Sequence, residues 1–335
     1  MAPDETRRRG RRALELLAGR RWLELGSMTA GGIWHLDRAV RRSLHRRMNF
    51  GGRHVFVDRS RGQGSLLIVL AGHKPHLWPY TLPRLERFAS QELDVCIVSP
   101  GVDSPELSAL AARRGWSQLI TRRNDLCLAQ NLAIRHHPAA RWIHKLDEDI
   151  FIAEGYFEAM AAGYRAVQRD GRFWHGFCSP LLNVNGFSYR LFLDAAGLEG
   201  EYLERFGELT QASGGVAVAE DGEAARWVWE RTLPFDAMAA RIAARPFGYS
   251  PVPHRFSIGA ILFERDLWEA IGGFVVVPSG GVGHDELQLC QECLARSRVP
   301  VVLHDVFAGH FSFGPQDPVM RSALPALASG LEVVA

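Results

Sequence analysis

Between residues 65 and 146, four short apolar runs alternate with stretches of helical spacing, and no other feature limits the possible folds as strongly. Ser65–Ala71 is apolar without a break after its first residue, as expected of a strand buried on both faces. Asp94–Val98 is a second such run, closed by Ser99-Pro100-Gly101, and Gln118–Thr121 is a short third. Arg141–Leu146 is the fourth and leads directly into Asp147-Glu148-Asp149. Between them, Leu82–Phe88, Leu107–Arg114 and Leu126–His136 carry helical spacing, the last stopped by Pro138. Strands alternating with helices predict an α/β fold with a mainly parallel central sheet flanked by helices. Ligands of such sheets sit beyond the carboxyl ends of the strands, which places Ala71–Lys74, Ser99–Asp103 and Asp147–Asp149 on one rim.

Length fits one large domain with extensions. No apolar run among the 335 residues approaches the ~20 needed to span a bilayer. The net charge of +2 conceals an asymmetry: the first 53 residues hold thirteen arginines against five acids, so the rest is net acidic. The basic clusters Arg7–Arg12 and Arg38–Arg47 flank Leu14, Leu17, Trp22, Leu25 and Trp34, a pattern of helices broken around Gly26–Gly32. This arm reads either as a peripheral contact with anionic lipid head groups or as solvated helices on the main domain. The acidic remainder argues against a nucleic-acid partner. Of the 39 basic residues only Lys74 and Lys145 are lysines, so an individual arginine says little.

Five cysteines, an odd number, do not suggest a disulfide framework, and Cys290 and Cys293 fall at helical spacing that favours core packing. With no secretory h-region near the start, the expected setting is reducing and cytoplasmic, peripheral on the inner membrane face if the arm binds lipid.

The expected boundaries are a basic arm over 1–60, a first sheet half over 61–171, an aromatic-rich insertion over 172–255, a second half over 256–316 and a tail over 317–335. In the second half a strand is expected at Ser257–Phe263, a helix at Arg265–Ile271, and a short last strand at Val301–Leu303, followed by His304 and His310.

Three motifs carry chemistry. In an extended backbone Asp147 and Asp149 point to the same side, and two close carboxylates suit a hard cation such as Mg²⁺ or Mn²⁺ that would bridge to phosphate oxygens. Gly283-His284-Asp285-Glu286 opens a helix, where the dipole keeps a carboxylate ionised and able to take a proton from a hydroxyl. Asp285 reads equally as an N-cap, with Gln288 as its capping-box partner. A neutral His304 or His310 could complete a metal site begun by Asp149. The chain has no GxxxxGK[ST] loop, no GxGxxG after the first strand, no GxSxG and no HExxH.

The order of these pieces resembles a glycosyltransferase of the GT-A fold, in particular of family 2, from about residue 64 to 314. Asn124-Asp-Leu-Cys-Leu-Ala-Gln-Asn131 resembles the family's N-x-G-x-x-x-A-R-N helix with one residue fewer between the asparagines. Lys145-Leu-Asp-Glu-Asp149 resembles its strand-ending DxD, Ile271-Gly-Gly-Phe274 its I-G-G-F segment, and Gly283-His-Asp-Glu-Leu287 its acidic base motif. The resemblance implies that Asp149 ligates the ion, that Asp147 contacts the ion or the ribose, and that His310, in Gly309-His310-Phe311, completes the metal site. It implies a nucleotide-diphosphate sugar donor held by Ala71, Gly72, His73, Lys74, Ser99, Gly101, Asp103, Arg123, Asn124, Asn131, Asp147 and Glu148. Aligned one way the base is Asp285, aligned another it is Glu286; Asp285 is preferred. The acceptor, a saccharide or glycolipid of surface polysaccharide synthesis, is expected against Trp174, Asn183, Asn185 and Tyr189, and the transfer is expected to invert the anomeric centre.

The chain departs from the family in three places. Ser99-Pro100-Gly101 stands where an Asp usually reads the nucleobase, with Asp103 two residues late; the first loop is Ala71-Gly72-His73-Lys74; and His284 replaces a common Glu. Two other functions share such a scaffold. A sugar-1-phosphate nucleotidyltransferase would need a G-x-G-x-R loop that is missing, and a non-catalytic carbohydrate- or nucleotide-binding protein would have no use for both acidic motifs.

Overall fold

The computed structural model describes residues 49–277 and 283–333. The expected arm helices around Gly26–Gly32 lie outside them. The described residues all belong to one compact unit, Asn49–Ala335.

The first half follows the apolar runs. After an edge strand β1 (His54–Val57) come β2 (Ser65–Leu70), α1 (Trp78–Phe88), β3 (Leu93–Pro100), α2 (Pro105–Arg114), β4 (Ser117–Thr121), α3 (Leu126–His136) and β5 (Trp142–Asp147). Leu66, Leu67 and Ile68 of β2 and Cys96, Ile97 and Val98 of β3 are fully buried, because helices cover both faces of this part of the sheet. Two helix starts are fixed by side-chain caps: Ser104 accepts from the Leu107 amide and Asp125 from the Leu128 amide.

The second half continues with β6 (Ile150–Phe151), α4 (Tyr156–Asp170), β7 (Trp174–Leu182), α5 (Ser188–Ala196), α6 (Glu199–Phe206), α7 (Ala217–Glu220), α8 (Gly222–Thr232), α9 (Phe235–Ala243) and β8 (Tyr249–Pro251). It closes with β9 (Ala260–Glu264), α10 (Arg265–Ile271), α11 (His284–Ala295), β10 (Arg298–His310) and α12 (Asp317–Leu331).

All strands join one sheet in the order β1-β4-β3-β2-β5-β9-β7-β10-β6, with β8 beside β10. The sheet is mixed, which corrects the mainly parallel expectation. β2, β3, β4 and β5 are mutually parallel, and β7 runs parallel to β10. However, β9 lies antiparallel between β5 and β7, and β1, β6 and β8 are antiparallel additions. The reversal follows from connectivity: the chain makes a long helical excursion after β7 and re-enters the sheet from the ligand rim at Gly259, so β9 descends where β5 and β7 ascend.

Three further expectations change. β7 lies within 172–255 and is an interior strand, so that segment supplies sheet as well as elaboration. β1 pairs with β4 although it falls inside the expected arm. The last strand is thirteen residues long and contains both His304 and His310 rather than preceding them. Between Val302 and Phe307 its register against β7 shifts, while Val301, Val302 and Leu303 also pair with β8.

The terminal helix α12 is tied to the body by Arg84, fully buried, which donates to the Leu331 and Glu332 carbonyls and to the Asp236 carboxylate. All five cysteines are buried and free, as core packing requires. No helix among the described residues is long and apolar enough to cross a membrane.

Candidate active-site cleft

The parallel strands β2, β5 and β7 end on one rim, the C-terminal part of β10 reaches the same rim, and β9 begins there. Asp147, at the end of β5, donates its backbone amide to the Gly259 carbonyl at 2.8 Å, and the Phe311 amide donates to the Asp149 carbonyl at 3.1 Å. The result is a cleft of about 580 Å³ lined by Ala71, His73, Lys74, Asn124, Lys145, Asp147, Glu148, Asp149, Asn185, Asp285, Glu286 and His310. Residues more than two hundred positions apart in sequence, such as Ala71 after β2 and His310 at the end of β10, thus meet because the strands that carry them end on one rim.

The acidic triplet divides its work. β5 stops at Asp147 and a turn follows, so Asp147 and Asp149 do not share the extended face expected of them. Asp147 Oδ1 accepts from Lys145 Nζ at 2.7 Å. Burial pushes the Asp147 carboxyl up, and the Asp149 charge adds to this, against the lowering effect of Lys145. Asp149 Oδ2 lies 2.6 Å from Lys74 Nζ and 3.5 Å from His310 Nε2. Burial would raise its pKa, but His310 and Lys74 outweigh burial and hold Asp149 well below the usual carboxylate range. Glu148 faces inward instead: it accepts from the Gly72 and His73 amides at 3.0 and 2.8 Å and from the Trp78 indole at 2.6 Å. Its oxygens are thereby engaged by the β2–α1 loop and the first residue of α1, while the residue still lines the cleft.

His310 is oriented from behind. Its Nδ1 lies 3.0 Å from the Val184 carbonyl, which only accepts, so Nδ1 carries the hydrogen and Nε2 is turned towards Asp149. Its backbone amide donates to Asn183 Oδ1 at 2.9 Å, and Phe313 stacks on the ring at 5.1 Å. A carboxylate oxygen and an imidazole lone pair 3.5 Å apart are both acceptors and require a proton or a cation between them. One hard oxygen and one nitrogen fit Mn²⁺ or Mg²⁺ if phosphate and water complete the shell. Among the described residues no three His, Cys, Asp or Glu side chains converge as a preformed cage. His304 lies elsewhere, 2.8 Å from Ser250 Oγ on β8.

Asp285 and Glu286, in the first turn of α11, both reach the cleft. Asp285 is 3% exposed, and its Oδ2 accepts from Gln130 Nε2 at 2.8 Å. Glu286 is paired with Arg255, and burial raises its pKa against that pairing. Gln288 donates to the Gly273 carbonyl and accepts from the Val275 amide, and Asp285 makes no side-chain cap, so the capping-box reading does not hold.

Several other expected residues fall outside the cleft. Ser99 is fully buried beneath the rim. Gly101 has φ +72°, and a Cβ there would come within 2.8 Å of the Asn124 backbone, so glycine serves the turn. Asp103 is exposed and does not line the cleft. Arg123 points away, towards Asp125 and the Val277 carbonyl. Asn131 is a buried hub that donates to the Asn49 and Phe274 carbonyls and accepts from the Trp268 indole and the Phe274 amide.

On the expected acceptor side only Asn185 lines the cleft, and its Oδ1 accepts from the Phe187 and Ser188 amides. Trp174 is 78% exposed at the opposite end of β7. Asn183 donates to Thr232, and the Tyr189 hydroxyl donates to the Thr210 carbonyl; both side chains are structural. The aromatics that do line the cleft are Phe187, Phe256 and Phe313.

Sequence reasoning missed Lys145 and Gln130, although both stand inside motifs it quoted. Gln130 occupies the position of the Arg in the A-R-N pattern, and Lys145 begins the segment matched to the DxD.

No protein-family model matches the chain. No curated protein matches it either. Among solved structures it is similar to a mannosyltransferase (PcManGT) from Pyrobaculum calidifontis in complex with GDP-Man and Mn²⁺, at 14% identity, covering 91% of this chain and 83% of that one, with a TM-score of 0.41.

Proposed function

We propose that the chain is a GT-A glycosyltransferase that moves a sugar from a nucleotide-diphosphate donor to a hydroxyl of a saccharide or glycolipid. The observation that carries this reading is the meeting of Asp147, Asp149 and His310 with a second acidic pair, Asp285 and Glu286, in one cleft of about 580 Å³. That volume suits a nucleotide-sugar better than an extended chain. A purely binding protein has no need of a second carboxylate site opposite the first.

In this reading Asp285 is the base. It accepts the proton of the acceptor hydroxyl as the acceptor oxygen bonds to the anomeric carbon. The bond from that carbon to the β-phosphate oxygen breaks, the nucleoside diphosphate departs with the electron pair, and the configuration inverts. Asp285 is preferred over Glu286 because its nearest hydrogen-bond partner is the neutral Gln130 amide, whereas Glu286 is already paired with the Arg255 guanidinium. Asp149 and His310 would hold a divalent ion, which when bound supplies positive charge to the leaving diphosphate. Asn124, His73 and Lys74 line the donor side, and the buried Phe187 and Phe256 give the cleft an apolar wall. The basic segment before residue 49 would bring the enzyme to an anionic membrane surface where a glycolipid acceptor resides.

The test is a panel of nucleotide-sugars with Mn²⁺, scored by thermal shift and by hydrolysis. Wild type should be stabilised by at least one donor and hydrolyse it slowly, and Asp149→Asn should lose both responses. If no nucleotide-sugar binds, the transferase reading fails.

A further inference from the structure

The chain's only two lysines both stand in this cleft, each on one aspartate of the triplet. Everywhere else its cationic side chains, apart from histidines, are arginines. A guanidinium is a broad planar fork, whereas an ammonium is a compact point charge on a flexible stem. At these two positions the compact charge is the one that fits.

The two lysines are not equivalent. Lys145 is 3% exposed and fixed, with Nζ 2.7 Å from Asp147 and 2.8 Å from the Ile258 carbonyl. Lys74 has a side chain 22% exposed and sits at the cleft mouth, donating to Asp149 Oδ2 at 2.6 Å and to the Ser312 carbonyl at 2.7 Å, with Asp317 at 3.7 Å. Its two short contacts, to a carboxylate oxygen and to a carbonyl that can only accept, both draw on its N–H donors. The oxygen it holds is the one His310 Nε2 faces.

We propose that Lys74 is a built-in cation that keeps Asp149 Oδ2 until a divalent ion takes that oxygen. A single carboxylate oxygen at the mouth does not serve an ammonium at 2.6 Å and a divalent ion together without strong repulsion between the two charges. The ion and the lysine therefore compete. Displacement releases the Lys74 ammonium from Asp149 and leaves it on the Ser312 carbonyl with Asp317 at 3.7 Å, free to turn towards an anionic ligand that enters the cleft. The competition concerns only Lys74, Asp149 and the ion. Its second half, the turn towards an anion, rests on the donor reading above.

The test uses the full chain and Mn²⁺ alone. Two lysines and the N-terminal amine make amine acetylation followed by mass spectrometry a clean report on each site. Saturating Mn²⁺ should speed Lys74 acetylation several-fold and leave Lys145 protected. In parallel, Mn²⁺ affinity measured by electron paramagnetic resonance should be about tenfold tighter in Lys74→Met, because a unit positive charge has left contact range of the ion, and should be lost in Asp149→Asn. Unchanged or slower Lys74 acetylation under Mn²⁺ overturns the proposal. So does Mn²⁺ binding in Lys74→Met no tighter than in wild type, including no binding in either. If Lys74→Met does not fold, the acetylation result decides alone. A protein that shows the competition but takes no nucleotide-sugar keeps the lysine device and loses the transferase reading; a protein that takes the donor without the competition does the reverse.

Discussion

The side-chain amide of Gln130 donates to Asp285 Oδ2 at 2.8 Å, joining the middle of α3 to the first turn of α11. Gln130 is itself held, its amide also reaching the Leu126 carbonyl one helical turn back. A buried carboxylate aimed by a neutral donor keeps its direction, and geometry is the first thing a base requires.

Gln130→Leu should therefore lower kcat about tenfold, the worth of one hydrogen bond to a charged group, while the KM for donor stays within about twofold. Asp285→Asn should lower kcat by a factor on the order of a thousand and still bind donor. Steady-state kinetics on both variants, with donor binding measured separately, separate a base from a donor contact. Equal losses in Glu286→Gln and Asp285→Asn would remove the preference between them.

Asn131 gives the opposite pattern. It links Asn49, Trp268 and Phe274 and lies away from the cleft. Asn131→Ala leaves those buried partners without their bonds and should cost about 2–4 kcal/mol of stability. Donor affinity, measured well below the melting temperature, should be that of wild type. Loss of affinity without loss of stability would return Asn131 to the donor site.

Glu148 should show both effects. Its carboxylate gathers the Gly72 and His73 amides and the Trp78 indole, and so shapes the loop that carries Lys74. Glu148→Gln sets a donor amide against donors and should cost about 2–3 kcal/mol in urea unfolding, together with weaker donor binding. Trp78→Phe, which removes only one partner, should cost about 1–2 kcal/mol.

How much of this was legible in the sequence depends on whether an element's signal is local. α3 and α10 have the bounds their apolar spacing predicted, and β2 to β5 were readable because strands buried on both faces are continuous apolar runs. The antiparallel half was not. β10 carries Arg298, His304 and Asp305 among its apolar residues, and its ladder with β7 is interrupted between Val302 and Phe307, an irregularity that local spacing does not signal. β1 is only His-Val-Phe-Val beside a basic segment, and only β4 makes it a strand. In the site, the acids announced themselves through spacing after a strand. Their cationic partners did not, since Lys74 is 75 residues from Asp149 and is paired with it only by the fold. Asn183 and Tyr189 looked like ligand contacts because a polar side chain in an aromatic segment gives no sign of whether it faces a cleft or a carbonyl.

His144 makes the fold, rather than the site, sensitive to acid. It sits on β5, 3% exposed, with its ring edge-to-face on Phe157. Burial alone pulls its pKa down from 6.5 to about 3. Between those two values the unfolded chain binds a proton at His144 that the folded chain refuses, so stability falls as the pH drops through this window, by about 1.4 kcal/mol per unit. Above pH 6.5 neither state is protonated there and the contribution is flat. His144→Leu, close in size and without a proton to bind, removes that slope. Urea unfolding of wild type and variant in steps from pH 8 to pH 4 should give curves parallel above pH 7 and then converging, or crossing, in favour of the variant as the pH falls. Curves that stay parallel throughout would mean that His144 becomes charged in the folded protein, and that the β5–α4 interface admits water.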